Sequence, residues 1–351
     1  MWPFIRQINL IRYLVLWRVN RSFVRLPKCL PAELSLALGV IIANRLPTRE
    51  ASRWRKALAP WNEYQGEALN VTINNETSKQ AVKKSKTVPE ISWPVETVLF
   101  TYPSKMSYGQ GELMVWELKL LGENADHSFF LEVILPAMEE ASSITDPQWH
   151  HHHSPWGRFD IDSIYVARGP RWEPIAQAGK LDVRYRATPT QWAEDLPFGP
   201  NSERAFKNLT WLTPFDLGIR LDQAVPSSTG SSPRKKKILP DEKPTLQRIL
   251  EALVIRMAVL LPGKYNTPDD VWDSLDPEEK SSLQEVIKQT EKMPTHFKNL
   301  KAVPDDWPGR WIGAQAFPTA LPPSIIPYLE LASILHIGKQ THFGCGTFAI
   351  N

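Results

Sequence analysis

Two cysteines, Cys29 and Cys345, are all that 351 residues provide. That excludes a disulfide scaffold and a Cys-rich zinc site, and it fits a reducing, cytoplasmic setting. Long apolar runs are missing too. The longest, "LSLALGVIIA", is far short of the roughly 20 residues that span a bilayer, so no membrane is expected. The opening "MWPFIRQINLIRYLVLWRVN" is broken by Arg6, Arg12 and Arg18 and carries no cleavage signature; it reads as a strand entering a core, not as a signal peptide. No histidine precedes His127. Nor does any Cys/His/carboxylate set stand at metal-ligand spacing. Consecutive residues such as His150-His151-His152-His153 cannot converge on one ion, and this run reads as a solvated loop. No metal and no cofactor are expected.

What is present is a charge imbalance. Net charge is only +3, yet between Arg6 and Lys56 stand Arg6, Arg12, Arg18, Arg21, Arg25, Lys28, Arg45, Arg49, Arg53, Arg55 and Lys56, opposed by Glu33 and Glu50 alone. Such a local excess suits a polyanion, although a solvated basic face gives the same pattern. Several of the 14 tryptophans sit beside arginine, in "LWRV", "RWRK", "PRWEP" and "GRWIG". Those pairs suit base stacking or, more commonly, a core.

Periodicity orders the chain twice in the same way. "RYLVLWRVNRSFVRLP" reads as one long strand and "LPAELSLALGVIIANRLP" as a helix bounded by prolines. "SWPVETVLFTYP" and "GELMVWELKLLG" follow as strands, "NADHSFFLEVILPAMEEAS" as a helix and "GRFDIDSIYVAR" as a strand. The second half offers "NLTWLTPFDLGIRLD" as a strand, then a Ser/Gly/Pro segment carrying "PRKKK", which reads as a flexible basic loop. "TLQRILEALVIRMAVLL" is a helix and "PEEKSSLQEVIKQTEK" a helical insertion. "DWPGRWIGAQAFPTAL" supplies strand material, "PPSIIPYLELASILHIG" a helix and "THFGCGTFAI" the last strand. The order predicts an α+β protein of two tandem ferredoxin-like βαββαβ domains, over 1–200 and 201–351, with a loop insertion over about 62–90.

The closing "LHIGKQTHFGCGTFAIN" concentrates Gly338, Gly344 and Gly346 with Lys339, His336 and His342. It is no Walker loop, because Gly338-Lys339 is followed by Gln340, and it follows a helix instead of opening one. A nest of backbone N–H groups approached by an anion is the expectation.

The ending His336-x-Gly338-Lys339 with its later Phe-Gly-x-Gly turn resembles the closing motif of CRISPR-associated endoribonucleases of the RAMP superfamily, which cut precursor CRISPR RNA within each repeat. "LTPFDLGIRLD" with "LQRILEALVIRMAVLL", and "LMVWELKLLGENADHSFFLEVILPAMEEAS" with "WGRFDIDSIYVAR", carry the likeness further. The resemblance implies a glycine-rich loop lying on the RNA backbone, with Gly338, Lys339, Gly344 and Gly346 in contact, and metal-independent attack by the 2′-OH. The partners implied are repeat RNA or mature crRNA and other CRISPR effector subunits. The family's histidine near the first helix has no counterpart here; Tyr13 and Lys28 stand where proton handling and a cation are needed. His336 matches the motif histidine, His342 lies inside the loop as a candidate proton carrier, and Arg18, Arg21, Arg25, Arg53 and Arg55 are candidate phosphate contacts. The alternative is a catalytically inactive RNA-binding subunit of a CRISPR ribonucleoprotein.

Overall fold

The computed structural model describes residues 5, 8–27, 29–60, 92–102, 105–143, 156–196, 205–218, 243–263, 266–304 and 307–351. The expected insertion, Lys28, His150–His153 and the "PRKKK" segment lie outside the described residues.

Strand β1 (Leu10–Val19) alternates strictly. Ile11, Tyr13, Val15, Trp17 and Val19 face one core, while Leu10 joins another. It is not the single long strand expected. The chain bends after Val19, and β2 (Phe23–Arg25) leaves to form a separate two-stranded sheet with β4 (Ser107–Gly109). Helix α1 (Leu30–Arg45) has Pro31 in its first turn and ends one residue before Leu46-Pro47. Its residues are buried on nearly every side, as an almost wholly apolar helix requires. Helix α2 covers 48–60. Strands β3 (Thr97–Thr101) and β5 (Leu113–Leu121) follow. A helix, α3, then runs through His127–Phe129, a π-helical stretch Phe130–Ile134, and Leu135–Ser143. The widened turn lies directly before Pro136, which has no N–H to give the carbonyl four residues back. Strand β6 (Phe159–Arg168) closes the unit, and β7 (Arg171–Gln177) with β8 (Lys180–Leu181) extends the sheet beyond it.

The sheet order is β3-β5-β1-β6-β7-β8, antiparallel throughout. Its first four strands have the split-βαβ order. The second half builds β9 (Asn208–Trp211), α4 (Leu246–Leu260), α5 (Pro268–Ser274), α6 (Pro277–Glu291), β10 (His296–Ala302), β11 (Trp311–Ala316), α7 (Ile326–Leu335) and β12 (Phe348–Ile350). Its sheet runs β10-β11-β9-β12, the same order again. The α+β fold with two ferredoxin-like sheets is therefore present. Two strands are shorter than expected. β9 stops before Pro214, which cannot donate to a ladder, and only a bridge at Phe215 continues it. β12 begins after the glycines. Sequence periodicity also misses β10, an edge strand with no fully buried residue.

The first sheet is covered on both faces. One face packs on α1 and α3; from the other, Leu10, Val98, Phe100 and Leu121 join the core of the second half with Leu250, Leu253 and Met257. Charges cross the same face. Arg12 Nε donates to Glu117 Oε1 at 2.6 Å, Tyr102 donates to Glu117 Oε2 at 3.3 Å, and Lys119 lies 3.9 Å from Glu117. Burial pushes the Glu117 carboxyl up, but the Arg12 and Lys119 cations outweigh it and hold it below its ordinary value. Burial pulls the Lys119 ammonium down to about 7. Glu117→Leu strands Arg12 and Lys119 in this low-dielectric joint and is expected to cost about 3–5 kcal/mol in urea unfolding. A loss below about 1 kcal/mol, the range of an exposed pair, would show the network to be solvated.

Candidate nucleic-acid interface and the glycine-rich loop

Helix α7 ends at Leu335, and His336 turns the chain at φ 57°. Gln340 takes φ 55°, Thr341–Phe343 form one 3₁₀ turn, and Gly344 and Gly346 follow at φ 75° and 85°. Ile337 N–H donates to Gly346 O at 3.1 Å and Gly346 N–H to Pro214 O at 2.9 Å. A β-carbon on Gly344 would press on the Leu99 carbonyl of β3; on Gly346 it would collide with the Ile337 carbonyl. These glycines therefore admit protein backbone, not phosphate. The packing leaves no open anion nest at Gly344 and Gly346: residues 341–348 are all buried, and Phe343 belongs to the first core. Gly338 likewise sits against the Asp216 carbonyl.

The two motif histidines are part of this packing. His336 is 0% exposed, and its Nδ1–H is shared between the Gly344 and Cys345 carbonyls at 3.1 Å each, which fixes the tautomer. Burial, then the nearby Lys119 charge, lowers its pKa well below the ordinary value. It caps and packs the joint. His342, expected to face the scissile phosphate, is 4% exposed. Its Nδ1–H donates to Thr97 O at 3.2 Å, with Thr97 Oγ1 at 2.8 Å, and its Nε2 accepts from Ser35 Oγ at 2.5 Å. It ties the loop to α1 and β3, and burial brings its pKa to about 4. Tyr13 is also a core residue. Its hydroxyl meets His127 Nδ1 at 2.8 Å, its ring stacks on Phe130 at 3.8 Å, and burial raises its pKa. The structure does not bring these three candidates together at a surface.

Lys339 is the exposed member of the motif. Its amide donates to Asp216 O at 2.7 Å, and its stem lies over Gly218. It borders a cavity of ≈ 580 Å³ whose wall includes Ile255, Val259 and Trp272.

The basic segment divides in two. Arg12 is spent on Glu117, Arg18 on Asp162, and Arg45 on Glu140 at 2.7 Å. Arg21, Arg25, Arg53 and Arg55 are exposed. Arg21 gives only Nε to Gly157 O at 3.3 Å. On α2, Ala51, Trp54 and Leu58 turn inward and leave Arg53 and Arg55 outward. Of the tryptophans next to arginine, Trp17, Trp54 and Trp311 are buried and offer no stacking face, while Trp172 is half-buried with the Arg12 guanidinium 5.2 Å from its ring centre. One residue the sequence pattern did not single out as a site is Glu33, on the first turn of α1. Its half-buried carboxyl is raised by burial to about 7, the range in which an acid–base group works best. Its only signal in the sequence was being one of two acids in a basic run.

Among the described residues no group of three or more His, Cys, Asp or Glu is placed to hold a metal ion, and no helix is long and apolar enough to cross a membrane.

No protein-family model matches the chain, and no curated protein matches it. Solved structures do. A Cas6 product complex is similar over 98% of this chain and 99% of its own, at 14% identity and TM-score 0.45. Thermus thermophilus Cas6 covers the same shares at 13% identity and TM-score 0.42. A partial Cas6-RT-Cas1–Cas2 complex is similar at 10% identity and TM-score 0.47, with 98% of this chain matched to 46% of that one.

Two outcomes follow from the buried loop. Gly346→Ala and Gly344→Val should lower the melting temperature and leave little folded protein. A well-folded Gly344→Val variant that has merely lost RNA affinity would restore the phosphate nest. The pH dependence has a definite sign. The folded pKa of each motif histidine lies below the unfolded value of about 6.5, so the unfolded chain binds more protons as pH falls. Stability is complete above about pH 7 and is lost as pH falls toward 4, by about 3 kcal/mol for His342 alone. Urea midpoints at pH 7 and 5 measure it, and His342→Gln should reduce the difference, leaving the part due to His336.

Proposed function

We propose that this chain binds CRISPR repeat RNA, cleaves precursor CRISPR RNA by metal-independent attack of the 2′-OH, and holds the product. The observation that carries the reading is the exposed set Arg21, Arg25, Arg53 and Arg55. These are cations that the fold leaves outward while it spends Arg12, Arg18 and Arg45 on carboxylates. The closing motif resembling the repeat-cleaving endoribonucleases, on a fold with two ferredoxin-like sheets, supports it. Lys339 adds a phosphate contact beside Gly338.

Attack by the 2′-OH needs a proton acceptor, a donor for the leaving 5′-oxygen and a cation by the phosphate. The burial of His336 and His342 suits them to holding the two halves in register, and that of Tyr13 to packing the first core. Glu33 is the candidate proton carrier, and Lys28, five residues earlier in the sequence, the candidate cation. The second reading, an RNA-binding subunit without cleavage, is favoured by one observation: both motif histidines are buried and hydrogen-bonded.

Purified protein with repeat RNA in EDTA separates the two. Cleavage should proceed without divalent ions and leave a 2′,3′-cyclic phosphate; activity that EDTA abolishes and magnesium restores would refute the mechanism. Glu33→Gln should retain RNA affinity and lose about 10²–10⁴-fold in rate, with the wild-type pH profile inflecting near 7. Tight binding with no cleavage in wild type selects the subunit reading. Affinity should also fall steeply with salt, as released counterions require. A salt-independent affinity would defeat both readings.

A further inference from the structure

Strand β2 turns an aromatic ring outward. Phe23 is 62% exposed, whereas its neighbours Val24 and Leu26 are buried in the first core. The alternation of the strand therefore turns Phe23 and Arg25 outward together. Arg21, two residues earlier, is exposed as well. The register across the small sheet matters further. Phe23 pairs with Gly109, which has no side chain to lie over the ring, while Val24 pairs with Tyr108 and Arg25 with Ser107. Glu112, which reaches this sheet at Gly109, is occupied: it accepts from the Gly109 N–H at 2.7 Å and from Lys105 Nζ at 2.5 Å.

We propose that Phe23 is a stacking platform for one unpaired RNA base, with Arg25 and Arg21 taking the flanking phosphates. The proposal rests on the RNA-binding reading above and deepens it by naming the feature recognised, a single-stranded nucleotide with its base splayed out. The chemistry fits on three counts. An aromatic face without a cross-strand cover stacks any base. Guanidinium groups two residues before and two residues after it in the chain suit the phosphates of the same and the adjoining nucleotide, Arg25 from the strand and Arg21 from the bend, where its Nε also donates to Gly157 O. No unpaired carboxylate among the described residues of this two-stranded sheet opposes them. A protein partner would gain from the ring too, but flanking arginines with no acid between them favour a polyanion.

The test uses the full chain and a repeat RNA carrying 2-aminopurine at successive unpaired positions, titrated at several salt concentrations. Wild type should quench the fluorophore at one or two neighbouring positions. Phe23→Ala should abolish that quenching and weaken binding about 5- to 50-fold, within the range of one stacked base. The slope of affinity against salt should not change, because no phosphate contact is lost. Phe23→Trp should preserve both signals, and Arg25→Ala should lower the salt slope by about one contact. Melting curves confirm that the variants fold, as an exposed site predicts. Salt-dependent RNA binding with affinity and quenching identical in wild type and Phe23→Ala overturns this inference alone, and leaves the ring to a protein surface. Absence of salt-dependent RNA binding in wild type defeats the functional reading and this inference with it.

Discussion

The last turn of α7 carries two carbonyls, Ile334 O and Leu335 O, and a cation reaches each from a different half of the chain. Lys119, from the central strand β5, donates to Ile334 O at 2.7 Å; Arg256, from α4, donates through Nε to Leu335 O at 3.1 Å. A helix C-terminus concentrates partial negative charge on such carbonyls, so the joint is polarised before any carboxylate is counted. Glu117 and Glu96 then balance the cations, Glu96 through Arg256 Nη1 at 2.5 Å. Buried charges like these stabilise little relative to an apolar joint, but they are costly to misplace. The network therefore specifies how α7 meets the first sheet more than how strongly it does so.

Much else follows from that placement. Once α7 ends against Lys119 and Arg256, the residue after it is buried and flanked by two cations, so burial first and those charges second hold His336 neutral, with its Nδ1–H on the loop carbonyls. The loop must then fold back over the Leu99 carbonyl of β3 and the Ile337 carbonyl, approaches that Gly344 and Gly346 allow. His342 is carried inward to Ser35 and Thr97, so the C-terminal loop clasps the first half. A motif suggestive of ligand contact is thus also a hinge pin, and only Lys339 emerges from it.

The parts of this arrangement legible in the sequence are those that depend on one element at a time. Alternation in Leu10–Val19, the periodic apolar stripe of Leu246–Leu260 and the repeated order of elements identified both ferredoxin-like sheets. What was not legible depends on partners far along the chain. His342 has the same local sequence whether it faces solvent or Ser35, 307 positions away. β10 has no buried face and so no apolar period, yet pairing with β11 makes it a strand. The bend after Val19 gives no strong turn signal in "NRS", although it moves β2 into another sheet and with it the direction of Phe23 and Arg25.

That bend also decides what the basic segment does. Had β1 continued, Arg21 and Arg25 would have joined the first sheet, whose neighbouring strand β6 supplies Asp160 and Asp162 to Asn20 and Arg18. Leaving the sheet takes them beyond those acids. The same run of sequence therefore supplies two classes of cation: Arg12, Arg18 and Arg45, fixed to carboxylates, and Arg21, Arg25, Arg53 and Arg55, left outward. Only the second class contributes a field that a polyanion would meet, since a cation already paired adds little potential at a distance. Within this run Glu33 has no cation partner among the described residues, and its half-buried site on α1 keeps its carboxyl near neutrality. An acid that stabilises no ion pair and resists ionisation costs the fold something. Such a group has a physical reason to persist where proton transfer is required.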